Sequence, residues 1–201
     1  MRVAGLLVVI AGMAVLGDQV LASAPSPAAS PIEVLPPEHR SEPRRLRGEH
    51  RGALGEAGGA VPAGTTVFAD GVPGVARLDP DLLRALRRAA TEAAGDGVRF
   101  VVDSGWRSAA YQAQLLREAV AKYGSEQEAA RWVATPSTSA HVSGDAVDLG
   151  SSAAAWLSAH GAAYGLCQIY GNEPWHYELR ATENGCPPMY ADPTQDPRMQ
   201  Q

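Results

Sequence analysis

The sequence predicts an α+β domain, with a small antiparallel sheet carrying its functional motifs and helices packed on that sheet. Two observations carry this expectation. Capped segments with apolar residues at helical spacing dominate the first part of the domain, and short β-branched or aromatic runs bounded by glycine and proline dominate the later part. A length of 201 residues with 45% hydrophobic composition suffices for one ordinary globular domain plus a less structured segment.

The chain opens with Arg2 before an apolar run over residues 3–17, and Ala22, Ser23 and Ala24 supply a small-residue cleavage pattern. Residues 1–24 therefore read as a secretory signal peptide. The run is shorter than the ~20 apolar residues of a spanning helix and Asp18 ends it, so membrane attachment is expected only if this segment is retained. Residues 25–60 are rich in proline, glycine and alternating charge and lack a sustained apolar period. Such a segment buries too little surface to offset its ordering entropy, and it is expected to be a disordered tether. The folded domain is placed at 61–191, with a tail at 192–201. The net charge of -5 and the scattered arginines exclude the basic face that a nucleic-acid partner requires.

Within the domain, residues 78–95 read as a helix with Asp79 as N-cap, Pro80 at the first helical position, a stripe of Leu82, Leu83, Leu86, Ala90 and Ala93, and Gly95 as the stop. Residues 98–105 are a β-branched run and predict a strand. Residues 108–124 predict a second capped helix, and 125–134 a third that starts with a capping box of Ser125 and Glu128. Residues 146–149 predict a strand, the alanine-rich stretch after Gly150 a helix and turn, and "LCQIY" and "WHYEL" two strands flanking "GNEP". Export to an oxidising compartment makes Cys167 and Cys186 an expected disulfide, worth roughly 3 kcal/mol by the chain-entropy estimate. No C-x-x-C pattern supports a metal-binding role for Cys167.

The chemistry concentrates in three stretches. In "HVSGDAVD", Gly144 lets the chain turn between His141 and the strand, and alternation puts Ala146 and Asp148 on the face opposite Val147 and Leu149. Parity therefore favours Asp148 over Asp145 as the working carboxylate. In "NEPWHYE", Glu173 and His176 lie three residues apart. His141, Asp148 and His176 form a two-histidine, one-carboxylate set that suits zinc and leaves its fourth position to water. Glu173 is then the spare carboxylate for proton transfer, with Glu178 as the alternative. In "DSGWRS", Arg107 follows a strand and suits a substrate carboxylate or an oxyanion, whereas its structural role would be to stack on Trp106.

These three motifs, at residues 104–108, 139–148 and 173–176, occur in an order that resembles the VanY-type zinc D-alanyl-D-alanine carboxypeptidases. That group includes the lysostaphin-type peptidases and the hedgehog signalling domain. The resemblance covers roughly residues 79–179 and does not reach the tether. It implies one zinc ion per chain on His141, Asp148 and His176, Glu173 as general base and acid, and Arg107 as a substrate contact. Ser139 and Gln112 become pocket candidates. Trp106 and Ala109 depart from the commoner family residues, which bears on the pocket more than on the metal set. The implied substrate is a peptidoglycan stem peptide or its precursor, cut in the bacterial cell envelope. Related activities would use the same parts: an L,D-carboxypeptidase or a dipeptidase on free D-Ala-D-Ala. From other classes, a catalytically silent zinc-bearing peptidoglycan-binding module would have no need of Glu173, and a purely structural secreted domain would hold no stoichiometric metal.

Overall fold

Four short antiparallel strands form the sheet, and its two faces have different jobs. In the computed structural model of the protein, residues 55–180 and 182–200 are described. The strands are β1 (Val102–Ser104), β2 (Ala146–Leu149), β3 (Leu166–Gln168) and β4 (His176–Leu179), in the order β1-β2-β4-β3. The helices are α1 (Pro73–Ala76), α2 (Pro80–Ala93), α3 (Ala109–Tyr123), α4 (Glu126–Ala130), α5 (Ala140–Ser143) and α6 (Ser151–His160). No described helix is long and apolar enough to cross a membrane. The expected signal segment and residues 25–54 of the expected tether lie outside the described residues.

The core forms on one sheet face. Leu82, Leu86, Ala89 and Ala93 of α2 pack with Trp156 and Leu157 of α6 and with Val147, Leu149, Leu166 and Tyr177 of the sheet. Leu82 and Leu86 are almost wholly buried, and each such side chain contributes about 1.5–3 kcal/mol relative to exposure. Asp79 caps α2 as expected, its carboxylate accepting from the amides of Asp81 and Leu82. The helix does not stop at Gly95: a 3-10 turn, Ala94–Asp96, continues the chain, and Gly97 at φ 74 ends it. Ser108 caps α3 by accepting from the Tyr111 amide, and Gly124 at φ 83 closes it.

Three predicted elements come out shorter, and of these the strand expected over "LCQIY" is regular only at Leu166–Gln168. The strand expected over 98–105 is regular only at Val102–Ser104, because the four-residue β2 offers ladder partners no further along. The helix expected over 125–134 stops at Ala130, after which Trp132 stacks on Tyr123 and Arg131 pairs with Asp192.

Register sets the other sheet face. Asp148 lies directly opposite His176, and Ala146 opposite Glu178, so the alternation read from the sequence puts these side chains on one surface. An irregularity between Val102 and Ser104 lets Val102 meet Leu149 and join the core while Ser104 meets Asp148. Gly144 links α5 to β2 at φ 88, and a Cβ there would stand 2.7 Å from the Arg77 carbonyl oxygen. Both its left-handed backbone and this close approach require glycine.

The fold extends into segments assigned above to tether and tail. Residues 56–58 form a 3-10 turn, and the Ser108 amide donates to the Gly58 carbonyl at 2.9 Å. Near the other end, Asp192 and Asp196 are buried, each beside a short 3-10 turn. Cys167 and Cys186 form a disulfide across 19 residues of sequence. Replacing both with serine should lower stability by roughly 3 kcal/mol. Urea unfolding with midpoint and slope fitted separately for each protein checks it, and equal unfolding free energies would contradict it.

Candidate metal centre

Three elements bring the candidate ligands together: α5 carries His141, β2 carries Asp148 and β4 carries His176. All three are buried. His141 Nε2 stands 3.3 Å from His176 Nδ1 and 3.4 Å from Asp148 Oδ2, and His176 Nδ1 stands 3.3 Å from Asp148 Oδ1. Ligand atoms about 2.0–2.1 Å from a tetrahedral zinc ion lie roughly 3.3–3.4 Å from one another. The two ring nitrogens meet that spacing with each other, and each meets it with a different oxygen of Asp148, so the donor set suits zinc. These residues form the one cluster of this kind found among the described residues.

The second nitrogen of each imidazole is committed elsewhere, which leaves the correct atom facing the cluster. His141 Nδ1–H donates to the Gly105 carbonyl at 2.9 Å, so Nε2 carries the lone pair. That carbonyl is held in place by close backbone packing, since a Cβ on Gly105 would stand 1.9 Å from the Gly74 carbonyl oxygen. His176 Nε2–H donates to Glu178 Oε1 at 3.2 Å, which turns Nδ1 toward the cluster. This carboxylate–histidine arrangement typically orients metal ligands.

Electrostatics separate the two rings. Burial, with the Arg107 guanidinium nearby, pushes His141 down to about 4, so it is neutral and ready to donate its lone pair. Burial also opposes charge on His176, but its hydrogen bonds to Asp148 and Glu178 outweigh that and push it up to about 10. A metal ion must therefore displace a proton at His176 Nδ1.

Glu173 sits beside the cluster without joining it. It is buried, and its Oε2 lies 3.8 Å from His176 Nδ1, beyond the spacing of the other three. Glu178, the alternative proton-transfer carboxylate, is enclosed: it is 1% exposed and receives His176, Arg180 and Arg198. Asp145 stays at the surface as a turn residue and accepts from the Ser143 hydroxyl at 2.6 Å.

Arg77 covers the Trp106 ring at 4.4 Å from its centroid, while Arg107 reaches the cluster. Its guanidinium donates from Nη2 to Asp148 Oδ2 at 2.9 Å, from Nε to Ser104 Oγ at 2.8 Å and from Nη1 to Gln112 Oε1 at 3.0 Å. Gln112 is itself fixed, donating to the Ala134 carbonyl at 2.9 Å. Ser139 is buried at the start of α5. Arg107, Gln112, Ser139 and Glu173 all border one cleft, whose walls include Tyr111, Leu115, Trp132 and Trp175. Sequence reasoning missed two contributors, Ser104 as a support of Arg107 and Met199 on the cleft wall from the expected tail. Ser104 was legible as part of "DSGWRS"; nothing in the local pattern marked Met199.

The VanY family model, described as D-alanyl-D-alanine carboxypeptidase, matches residues 75–182, just over half of the chain. A curated D-alanyl-D-alanine carboxypeptidase of Enterococcus faecalis is 30% identical over 149 residues, which is 61% of this chain and 56% of the relative. This chain thus spans little more than half of that protein's length. Among solved structures, the vancomycin-resistance D,D-pentapeptidase VanY in complex with Zn(II) is 30% identical with a TM-score of 0.47, covering 50% of this chain and 71% of that one. The L,D-carboxypeptidase DacB of Streptococcus pneumoniae is 27% identical with a TM-score of 0.43, covering 53% and 68%. By the family match, with the three motifs converging on one cleft, the chain belongs to the VanY family of D-alanyl-D-alanine carboxypeptidases.

Proposed function

We propose that the protein is a zinc-dependent D-alanyl-D-alanine carboxypeptidase that removes the terminal D-alanine from peptidoglycan stem peptides in the cell envelope. One observation carries the reading: two buried imidazole nitrogens stand 3.3 Å apart, each 3.3–3.4 Å from an oxygen of the buried Asp148, with a separate carboxylate beside them, in a chain of the VanY family. His141, Asp148 and His176 are the residues that would hold the metal. When bound, zinc supplies a Lewis acid for the scissile carbonyl and lowers the pKa of water toward about 7.

The remaining work falls to side chains of this chain. Glu173 takes the proton of the attacking water and delivers it to the leaving amine, a general base that becomes a general acid. Arg107 faces the negative charge that develops on the carbonyl oxygen or the carboxylate that ends the substrate. Ser104 and Gln112 hold its guanidinium in place, so little reorganisation is needed as that charge forms. Ser139 and Gln112 contribute to the pocket that receives the peptide. The signal segment at 1–24 directs export, and the tether gives the catalytic unit reach toward the wall.

The deciding experiment incubates the purified protein with a muramyl pentapeptide, with and without a chelator, and measures released D-alanine. Chelator-sensitive release is expected. Stoichiometric zinc with no release from pentapeptide or tetrapeptide would instead favour a binding module. Arg107→Ala should cut turnover about a hundredfold or more, because one lost oxyanion contact costs about 3 kcal/mol. Zinc content is measured alongside, since Arg107 also holds Asp148. Near-wild-type turnover by a zinc-replete variant would remove Arg107 from the mechanism.

A further inference from the structure

We infer that Arg198, which lies outside the segment matched by the family, is a positioning residue of the metal centre: it holds Glu178 and, through Glu178, the imidazole of His176. The inference rests on the zinc reading above. It starts from Glu178, a carboxylate 1% exposed on the site face of β4. A carboxylate so buried persists only where its oxygens are fully engaged.

The partners of Glu178 are unequal. Arg180 gives one bond, from Nε to Oε2 at 2.8 Å. Arg198 spans the group, with Nη1 on Oε2 at 2.8 Å and Nη2 on Oε1 at 3.2 Å. A two-pronged contact fixes the rotation of the carboxylate, which a single bond does not. Oε1 is also the oxygen that receives His176 Nε2–H. If the carboxylate turned, His176 would lose the bond that aims its Nδ1 at the cluster.

Arg198 is itself well anchored. Its Nε donates to both oxygens of Asp196 at 3.0 Å each, and Asp196, wholly buried, accepts from the Tyr170 hydroxyl at 3.0 Å. The segment that delivers it is tied to the domain at several points. The Tyr190 amide donates to the Ile169 carbonyl, Arg131 pairs with Asp192 at 3.0 Å, and the Cys167–Cys186 disulfide closes the near end. Cys167 lies directly opposite Glu178 in the ladder, so the same strand pair supports the carboxylate from β3. The C-terminal segment thus forms a strap whose last turn reaches the outer layer of the metal site.

Loss of such an outer partner typically weakens metal binding 10–100-fold. The test measures zinc affinity by chelator competition on the full chain, for wild type, Arg198→Ala, Arg198→Gln and Arg180→Ala. Visible spectra of the cobalt-substituted proteins are recorded alongside. Arg198→Ala should weaken zinc about tenfold or more and alter the cobalt spectrum. Arg180→Ala should do less, having only one bond to lose. A merely structural Arg198 would lower the melting temperature of the metal-free protein and leave affinity and spectrum unchanged. A folded Arg198→Ala with wild-type affinity and spectrum overturns the inference. If that variant fails to fold, Arg198→Gln, which keeps a donor without the charge, decides it by the same readings. Absence of zinc from wild type would instead overturn the metal-centre reading, and this inference with it.

Discussion

Glu173→Ala will lower turnover by about 10²–10⁴-fold, the usual contribution of a general base and acid, while zinc remains bound. The separation of these two outcomes follows from geometry. His141 Nε2 and His176 Nδ1 are 3.3 Å apart and each lies 3.3–3.4 Å from an Asp148 oxygen, whereas Glu173 Oε2 stands 3.8 Å from His176 Nδ1. The turn that carries Glu173 is closed through its backbone: its amide donates to the Tyr170 carbonyl at 3.2 Å, and its carbonyl accepts from the His176 amide at 3.0 Å. Truncating the side chain leaves both bonds in place, so His176 keeps its position. Metal analysis and single-turnover assays on the same preparation check the prediction. Loss of zinc would make Glu173 a ligand, and undiminished turnover would give the proton transfer to another group.

Asp148→Ala will lose both the metal and a share of the fold's stability. Asp148 is 1% exposed, and its two oxygens face His141, His176 and Arg107. Removing it takes away one of three ligands. It also strips the carboxylate from the half-buried Arg107 guanidinium, whose side chain is 12% exposed. Breaking such a pair by deleting one partner costs about 3–5 kcal/mol, because the remaining charge is left without compensation. Ser104 and Gln112 still accept from Arg107, which puts the expected loss near the lower end, about 3 kcal/mol. Urea unfolding of the metal-free variant against metal-free wild type measures this term apart from the metal. Equal stability of the two would show that Arg107 finds other compensation.

The local rules of the chain were legible wherever one residue acts on its near neighbours. Asp79 and Ser108 cap the helices they were expected to cap, because a cap needs only backbone amides two or three residues away. The alternation that puts Asp148 on the face shared with Ala146 holds in the ladder, where Asp148 meets His176. The end of α2 was misread because both Gly95 and Gly97 can stop a helix, and tertiary packing, not composition, selects between them. The choice between Glu173 and Glu178 was also beyond the local pattern. What differs between them is enclosure by arginines, and one of the arginines on Glu178 comes from 20 residues further along.

By itself, the sequence determined the α+β class and the capped helices, which depend on residue type and short-range spacing, and the disulfide pair, because the chain has only two cysteines. Only the tertiary structure decided that His141 and His176, 35 residues apart, face each other with their other ring nitrogens already committed. It alone turned Arg107 onto Asp148 and brought Arg198 to Glu178. The physical reason is common to these cases. A side chain's pattern in the sequence says what it can bind, but strand register and buried packing determine which partner stands within hydrogen-bonding distance.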